Sequence, residues 1–258
     1  MPGVSSADLD GADARAASDR RAVRVSGEMP LPAGRRLAMI LCGFIPLVHA
    51  AAAAAPIALV AAGMARPRLV LLGPLVLYLA PPLVVRACTA VWPLPSGAFP
   101  VGSPVFLRWW FTAQWQVIFS RFPSFEESLR LVPGLYSLWL RIWGAHVGGL
   151  VYWSPGVAIT DRSLVRIGQR VVFGLGVRLN AHVMSAGADG LPHLYLGPVV
   201  IGDDTLVGGY SLVLAGCEVA PGQVTPPLRT LHPFTRLAGG RRAPVPGSPL
   251  VSRPEEAE

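Results

Sequence analysis

The sequence contains no lysine, so all 22 of its basic residues are arginine. This excludes Schiff-base catalysis and phosphate binding by a P-loop lysine. Cysteine is almost as scarce, and Cys42, Cys88 and Cys217 lie far apart, without the paired spacing of a zinc site or a disulfide framework. We therefore expect no metal, and the unpaired cysteines favour a reducing compartment.

Acidic residues are fewer than basic ones, which leaves a formal net charge of +7. The arginines are spread over the flanks of apolar segments and the turns of a repeat, without a recognised nucleic-acid-binding motif. We therefore expect no nucleic acid partner. Anionic membrane lipid is the expected partner instead.

Charged side chains are absent from two long stretches, residues 37–65 and 69–85. Each is long enough to cross a bilayer as a helix. The sequence thus predicts a transmembrane helical hairpin over residues 35–93, after a disordered tail over residues 1–34. Arginines are more numerous before the first stretch than between the two. This predicts a multi-pass protein of the cell membrane with both termini in the cytosol.

Residues 94–144 contain clustered Trp, Phe and Arg, in PVFLRWWFTAQWQVIFSRF and SFEESLRLVPGLYSLWLRIWG. Trp and Tyr rings favour the membrane interface, where one side of the ring is apolar and the other is wet. We expect interfacial amphipathic helices here. Packing of the same helices against the next domain is an alternative that is compatible with this placement.

A large apolar residue returns every sixth position in the second half of the chain. The members are Ile167, Phe173 and Leu179, and then Ile201, Val207, Val213 and Val219. A helical period of 3.6 does not divide six, whereas residues two apart lie on one face of a short strand. The Gly and Asp residues that follow several of these positions suit tight corners. The pattern predicts a coil of parallel strands, a β-helix of about four turns over residues 145–225.

The sequence also predicts where this coil is interrupted and where it ends. The interval from Leu179 to Ile201 is not a multiple of six, so an irregular loop is expected at residues 185–195, where Gly and Pro accumulate. Residues 226–258 are rich in Pro and Arg with little periodicity, and we expect them to be mostly disordered.

The run VVIGDDTLVGGYSLVLAGCEVAPGQV resembles the hexapeptide-repeat acyltransferases. The stretches RIWGAHVGG, VAITDRSLVRIG and NAHVM are similar to the membrane-associated hexapeptide region of poly-lysine-synthetase-type peptide synthetases. The resemblance implies a left-handed, single-stranded parallel β-helix, assembly into homotrimers, and acyl-CoA, above all acetyl-CoA, as co-substrate. With the helical hairpin, the fold class is mixed.

The resemblance also selects the candidate site residues. Related sugar acetyltransferases place their base histidine where this chain has Tyr210, so the expectation moves to His182 in NAHVMS, which corresponds to a histidine of the peptide-synthetase region. Acyl transfer to a hydroxyl or amine needs a base near pH 7, and imidazole suits that role. Asn180 precedes the expected loop and His193 lies near its end, and both are predicted to bind substrate, a small molecule, peptide or glycan.

Three alternatives remain open from the sequence. His182 could be a surface histidine that only bonds a neighbouring carbonyl group. The whole chain could be a non-catalytic trimeric scaffold or interaction module. A β-helix carbonic anhydrase is the third alternative, but it needs a close run of zinc-binding histidines that this sequence lacks.

Overall fold

A computed structural model describes residues 31–187 and 189–248 of the chain. The predicted tail over residues 1–34 thus lies almost wholly outside the described residues, as does the end of the predicted C-terminal tail, residues 249–258.

The described chain begins with an antiparallel helical hairpin. Its elements are α1 (Ala33–Gly43), α2 (Ile45–Ala61), a 3₁₀ turn (Pro67–Leu71) and α3 (Leu72–Val91). The two arms pack closely because Gly73 has no side chain, and a Cβ there would lie 2.8 Å from the carbonyl oxygen of Ala53. The helical stretches Ala33–Ala61 and Pro67–Val91 have mean hydropathies of 2.1 and 1.9 and are long and apolar enough to cross a membrane.

A layer of short helices separates the hairpin from the coil, and the placement of these helices at the membrane interface stays a prediction. Its elements are β1 (Gly97–Pro100), α4 (Pro104–Gln114), α5 (Val117–Arg121), α6 (Ser124–Arg130) and α7 (Leu135–Ile142). Trp143 and Leu140 are fully buried in the same apolar cluster as Phe173 of the coil. The layer therefore packs directly on the coil, so the packing alternative holds for these helices.

Most of the remaining strands form a coil with three parallel sheets, and three others pair antiparallel. They are β2 (His146–Val147), β3 (Tyr152–Trp153), β4 (Ala158–Thr160), β5 (Val165–Ile167), β6 (Val172–Phe173), β7 (Arg178–Asn180), β8 (His182–Ala186), β9 (Pro192–Leu196), β10 (Val199–Ile201), β11 (Leu206–Val207), β12 (Leu212–Val213), β13 (Glu218–Val219), β14 (Val224–Thr225), β15 (Thr230–Leu231), β16 (Thr235–Ala238) and β17 (Arg241–Pro244). Ile167 pairs with Val147 of the preceding turn of the coil and with Ile201 of the following turn. This register confirms the predicted parallel β-helix, and its left hand stays a prediction.

The interior of the coil is built from the residues that recur every sixth position. All seven of them are buried, with exposed fractions of at most 4%. Thr205, Ser211 and Cys217, which lie two positions before such residues, are buried as well. Burying one Val or Ile contributes roughly 1.5–3 kcal/mol. The repeat therefore stabilises the coil without a conventional globular core.

Two sequence predictions about the coil need correction. The interruption at residues 185–195 is not an irregular loop, because β8 and β9 pair there as an antiparallel hairpin and β1 pairs with β9. Leu194 and Leu196 alternate along β9 and are fully buried against α4, which holds the hairpin in place.

The segment after residue 225 is also more ordered than the sequence predicts. Strand β15 completes a fourth turn of the coil, and β16 and β17 form a closing antiparallel hairpin. The sixfold spacing in fact continues through Thr225, Leu231 and Leu237, which are all buried. The Pro and Arg content around these positions hides the repeat.

Candidate functional site

The candidate site lies at the corner of the coil from which the β8–β9 hairpin emerges. Asp161 occupies this corner in the first turn, in the left-handed backbone conformation with φ of 47°. One turn later, Thr160 pairs with Asn180, the last residue of β7. The chain then leaves the coil at Ala181, so His182 is placed beside Asp161, although 21 positions separate them in the sequence.

His182 and Asp161 form a hydrogen-bonded pair through Nδ1 of the imidazole and Oδ2 of the carboxylate. The Asp161 side chain is 4% exposed, whereas that of His182 is 27% exposed. Because Asp161 engages Nδ1, Nε2 is the ring nitrogen left for proton transfer. The pair thus presents one partly accessible imidazole, and its partner is a buried carboxylate and not a carbonyl group.

Trp109 on α4 fixes the carboxylate from its other side. Its indole Nε1–H donates to Oδ1 of Asp161 at 2.8 Å. Its ring centroid also lies 4.7 Å from that of His182, with the two planes inclined by 56°. Both oxygens of Asp161 are therefore engaged, which restricts the imidazole to one orientation.

Two opposing effects act on the protonation of His182. Burial lowers the pKa of the imidazole, and the nearby carboxylate of Asp161, through its charge and its hydrogen bond, raises it. The net result is a pKa above the ordinary value of 6.5. The protonated imidazole that forms during a base-catalysed reaction is therefore stabilised by Asp161.

A buried ionic cluster lies directly behind the site. Arg162, 1% exposed, donates through Nε to Oε1 of Glu126 at 3.1 Å and through Nη1 to Oε1 of Gln116 at 3.1 Å. Its backbone N–H also donates to Gln116 at 2.8 Å. Since Arg162 directly follows Asp161, these bonds hold the turn that carries the site carboxylate.

Tyr136 completes this cluster by donating its hydroxyl to Oε2 of Glu126 at 2.5 Å. Burial, followed by the negative charge of Glu126, raises the pKa of this phenol, so it remains a donor. The guanidinium of Arg162 also lies 5.5–5.7 Å from the ring centroids of Phe119, Trp139 and Trp143. The charges are therefore paired within an aromatic shell.

The structure does not bring the other two predicted residues to His182. His193 lies opposite Ser185 in the hairpin, and because strand side chains alternate, it faces away from His182. Its Nδ1 lies 3.0 Å from the carbonyl oxygen of Leu191. Asn180 is half-buried opposite Thr160, and no hydrogen bond in the described structure links its side chain to Asp161 or His182. Their substrate-binding roles stay predictions.

Asp161 and Trp109 were not predicted from the sequence. The signal for Asp161 was the spacing from Ile159 to Leu179, which pair in successive turns 20 positions apart. The first turn of the coil is longer than 18 residues because the 3₁₀ element Arg162–Leu164 adds residues to it. Position 161 is therefore stacked against position 181 of the next turn of the coil. Trp109 carried no comparable signal, because it arrives from the helical layer. Within the described residues, no group of three or more metal-ligating side chains occurs.

Comparisons with known proteins give limited matches. No protein-family model matches the sequence, and no curated protein matches it. Among solved structures, a hexapeptide-repeat acetyltransferase of Vibrio cholerae is 16% identical, with a TM-score of 0.32 over 50% of this chain and 89% of that one. A galactoside acetyltransferase with coenzyme A is 14% identical, with a TM-score of 0.29 over 47% and 78% of the two chains.

A serine acetyltransferase of Neisseria gonorrhoeae is 17% identical and covers 80% of this chain and 91% of its own, with a TM-score of 0.23. These superpositions are weak. The β-helix is therefore assigned from the parallel pairing within this chain, and the site from its own side chains.

Proposed function

We propose that this protein is an acyltransferase that moves an acyl group, acetyl in the first instance, from a CoA-type thioester to a hydroxyl or amine. The observation that supports it is the His182–Asp161 pair at the break in the coil. The resemblance of the repeat to hexapeptide-repeat acyltransferases supplies the thioester donor. A small molecule, peptide or glycan is the proposed acceptor.

The pair supports a simple sequence of bond changes. Nε2 of His182 removes the proton from the acceptor O–H or N–H as the oxygen or nitrogen attacks the thioester carbonyl carbon. The carbon–sulfur bond then breaks, and the imidazolium returns the proton to the CoA sulfur. Asp161 holds the imidazole and stabilises its positive charge, and Trp109 holds Asp161.

A left-handed coil and its assembly into a homotrimer belong to the same proposal. Four outward-facing residues are aligned in register on one flat face of the coil, Tyr152, Val172, Leu206 and Val224. Their exposed fractions are 62%, 37%, 39% and 72%. An apolar ladder of this kind suits contact with neighbouring copies. The exposed apolar helices of the hairpin support attachment to a membrane.

The experiment that tests the function uses the full chain purified in detergent with radiolabelled acetyl-CoA. We expect release of free CoA thiol and label transfer to at least one member of a panel of sugars, amines and peptides. Reactions without acceptor measure thioester hydrolysis. No label transfer to any member, with CoA release no faster than the uncatalysed rate, would favour the non-catalytic scaffold.

The pH dependence of the reaction is expected to follow His182. Because Asp161 raises the pKa of this imidazole, kcat/KM should rise with pH through a limb centred above 6.5, where the neutral base forms. Asp161→Asn removes the charge that raises the pKa, so the limb should move to lower pH and the plateau should fall. The pH profile of CoA release measures both effects. A limb that stays in place in this variant would contradict the pairing.

The raised pKa of His182 also determines the direction in which the stability of the fold changes with pH. A histidine whose pKa is raised by folding stabilises the fold below its unfolded pKa and loses that contribution as pH rises through its folded pKa. The wild type should therefore lose more stability than Asp161→Asn over that interval. Thermal unfolding at a series of pH values serves as a control that does not depend on the reaction.

A further inference from the structure

The helical hairpin presents many exposed apolar side chains. Leu41, Leu47 and Leu71 are 60%, 66% and 66% exposed. The exposed surface continues onto the helical layer through Leu138, which is 52% exposed. Such a surface marks an interaction site, and the two long apolar helices favour lipid as its partner. The sequence predicts that the hairpin crosses the bilayer, and the way the hairpin is docked bears directly on that prediction.

The second arm is tied to the folded domain along half of its length. The indole Nε1–H of Trp139 donates to the carbonyl oxygen of Tyr78 at 2.8 Å, and Arg86 donates to the carbonyl oxygen of Arg141 at 3.0 Å. Between them, Val85 is fully buried in the cluster that includes the coil interior. One face of residues 78–86 is therefore packed on the folded domain, whereas Leu83 on the opposite face is 54% exposed.

The part of the second arm that lies beyond these contacts is too short to cross a bilayer. Residues 69–77 extend about 14 Å as a helix, whereas the hydrocarbon core of a bilayer is about 30 Å thick. A groove of about 460 Å³ even joins Leu71, beside the hairpin tip, to Leu138 on α7. A crossing would thus pull α7, and the coil that packs on it, into the hydrocarbon.

The first arm is also bound to the folded domain, so the length that extends beyond the domain is again too short to cross a bilayer. Arg35 donates to the carbonyl oxygen of Gly102 at 2.9 Å, and Trp110 donates to that of Met39 at 3.2 Å. The ring of His49 lies 6.0 Å from that of Trp115. Beyond this contact, residues 50–61 extend about 18 Å. A hairpin anchored at this depth would end near the middle of the bilayer.

The hairpin tip carries Arg66 and Arg68, and arginine is costly at the centre of a bilayer. Arg35 and Arg36 mark the other end of the hairpin. We infer that the hairpin is monotopic: it lies in one leaflet, with the arginines at both of its ends among anionic headgroups of the same membrane face. Its exposed apolar side chains and Leu138 rest in the acyl region of that leaflet.

The tip distinguishes this arrangement from two crossings, because both arrangements leave the coil on the same side. Cys42 and Cys88 are replaced with Ser, and single cysteines are added as Met64→Cys at the tip, 76% exposed, or Leu191→Cys on the coil hairpin, 57% exposed. Cys217 can remain, because burial raises its pKa to about 11. Sealed membrane vesicles of both orientations are treated with a membrane-impermeant maleimide.

We expect Met64→Cys and Leu191→Cys to react in the same vesicle orientation. Reaction of Met64→Cys only in the opposite orientation would establish a crossing and overturn the inference. A tip that reacts in neither orientation until detergent is added would place it inside the hydrocarbon and overturn the inference as well. Thermal unfolding of both variants in detergent verifies that they are folded. The acyl-transfer assay is independent of this result.

Discussion

Replacement of His182 with alanine is expected to lower the rate of acyl transfer by about 10³-fold, the range of loss typical of a positioned general base. The loss should appear in kcat, because the imidazole acts on the proton of the acceptor and not on the binding of the thioester. Stopped assays of CoA release and label transfer measure it. The thermal unfolding midpoint should remain near that of the wild type, since His182 lies at the edge of the fold, 27% exposed.

Two further variants separate the base from its structural setting. In His182→Asn, the side-chain amide can still donate to Asp161, but no base is present, so the variant should be folded and inactive. His146→Ala removes an exposed imidazole on β2 that has no part in the site, and its rate should stay near that of the wild type. Wild-type turnover by His182→Ala would refute the base assignment.

The success of the sequence analysis with the coil has a physical cause. A β-helix repeats one local geometry, so residues such as Ile167, Phe173 and Leu179 face the same interior at a fixed spacing. His182 was chosen as the candidate base because its chemistry is distinctive and it stands where the repeat breaks, and its catalytic role stays a prediction. The predicted end of the coil at residue 225 was wrong, because Thr225 and Leu231 continue the sixfold spacing within a segment whose composition is typical of disorder.

The rest of the site could not be predicted from local pattern. Asp161 reaches His182 from the preceding turn, and Trp109 arrives from a helix 73 positions before His182 in the sequence. Asn180 and His193 were chosen because they are close to His182 in sequence, but strand alternation and the hairpin turn His193 away. Contacts between turns and layers decide a site of this kind, and they depend on the exact length of each turn.

Glu126→Ala is expected to cause the largest loss of stability. The substitution leaves the guanidinium of Arg162 buried without a charged partner, and it also removes the acceptor of the Tyr136 hydroxyl. Removing one member of a buried ion pair typically costs about 3–5 kcal/mol. For a chain of this size, the thermal unfolding midpoint should fall by about 10 °C. Circular dichroism of the detergent-solubilised protein measures the shift.

A matched control breaks an ion pair at the surface of the same coil. Asp204→Asn removes the carboxylate that binds Arg170, but both side chains are more than half exposed, so the unfolding midpoint should stay unchanged. The double variant Glu126→Leu with Arg162→Met replaces the buried charges with apolar groups and should recover much of the loss. If Glu126→Ala unfolds at the same temperature as Asp204→Asn, the cluster does not hold the turn of Asp161. A double variant that recovers its stability and still transfers acyl groups more slowly than the wild type would give a different result. That result would show that the Glu126–Arg162 pair acts on the site through the position of Asp161.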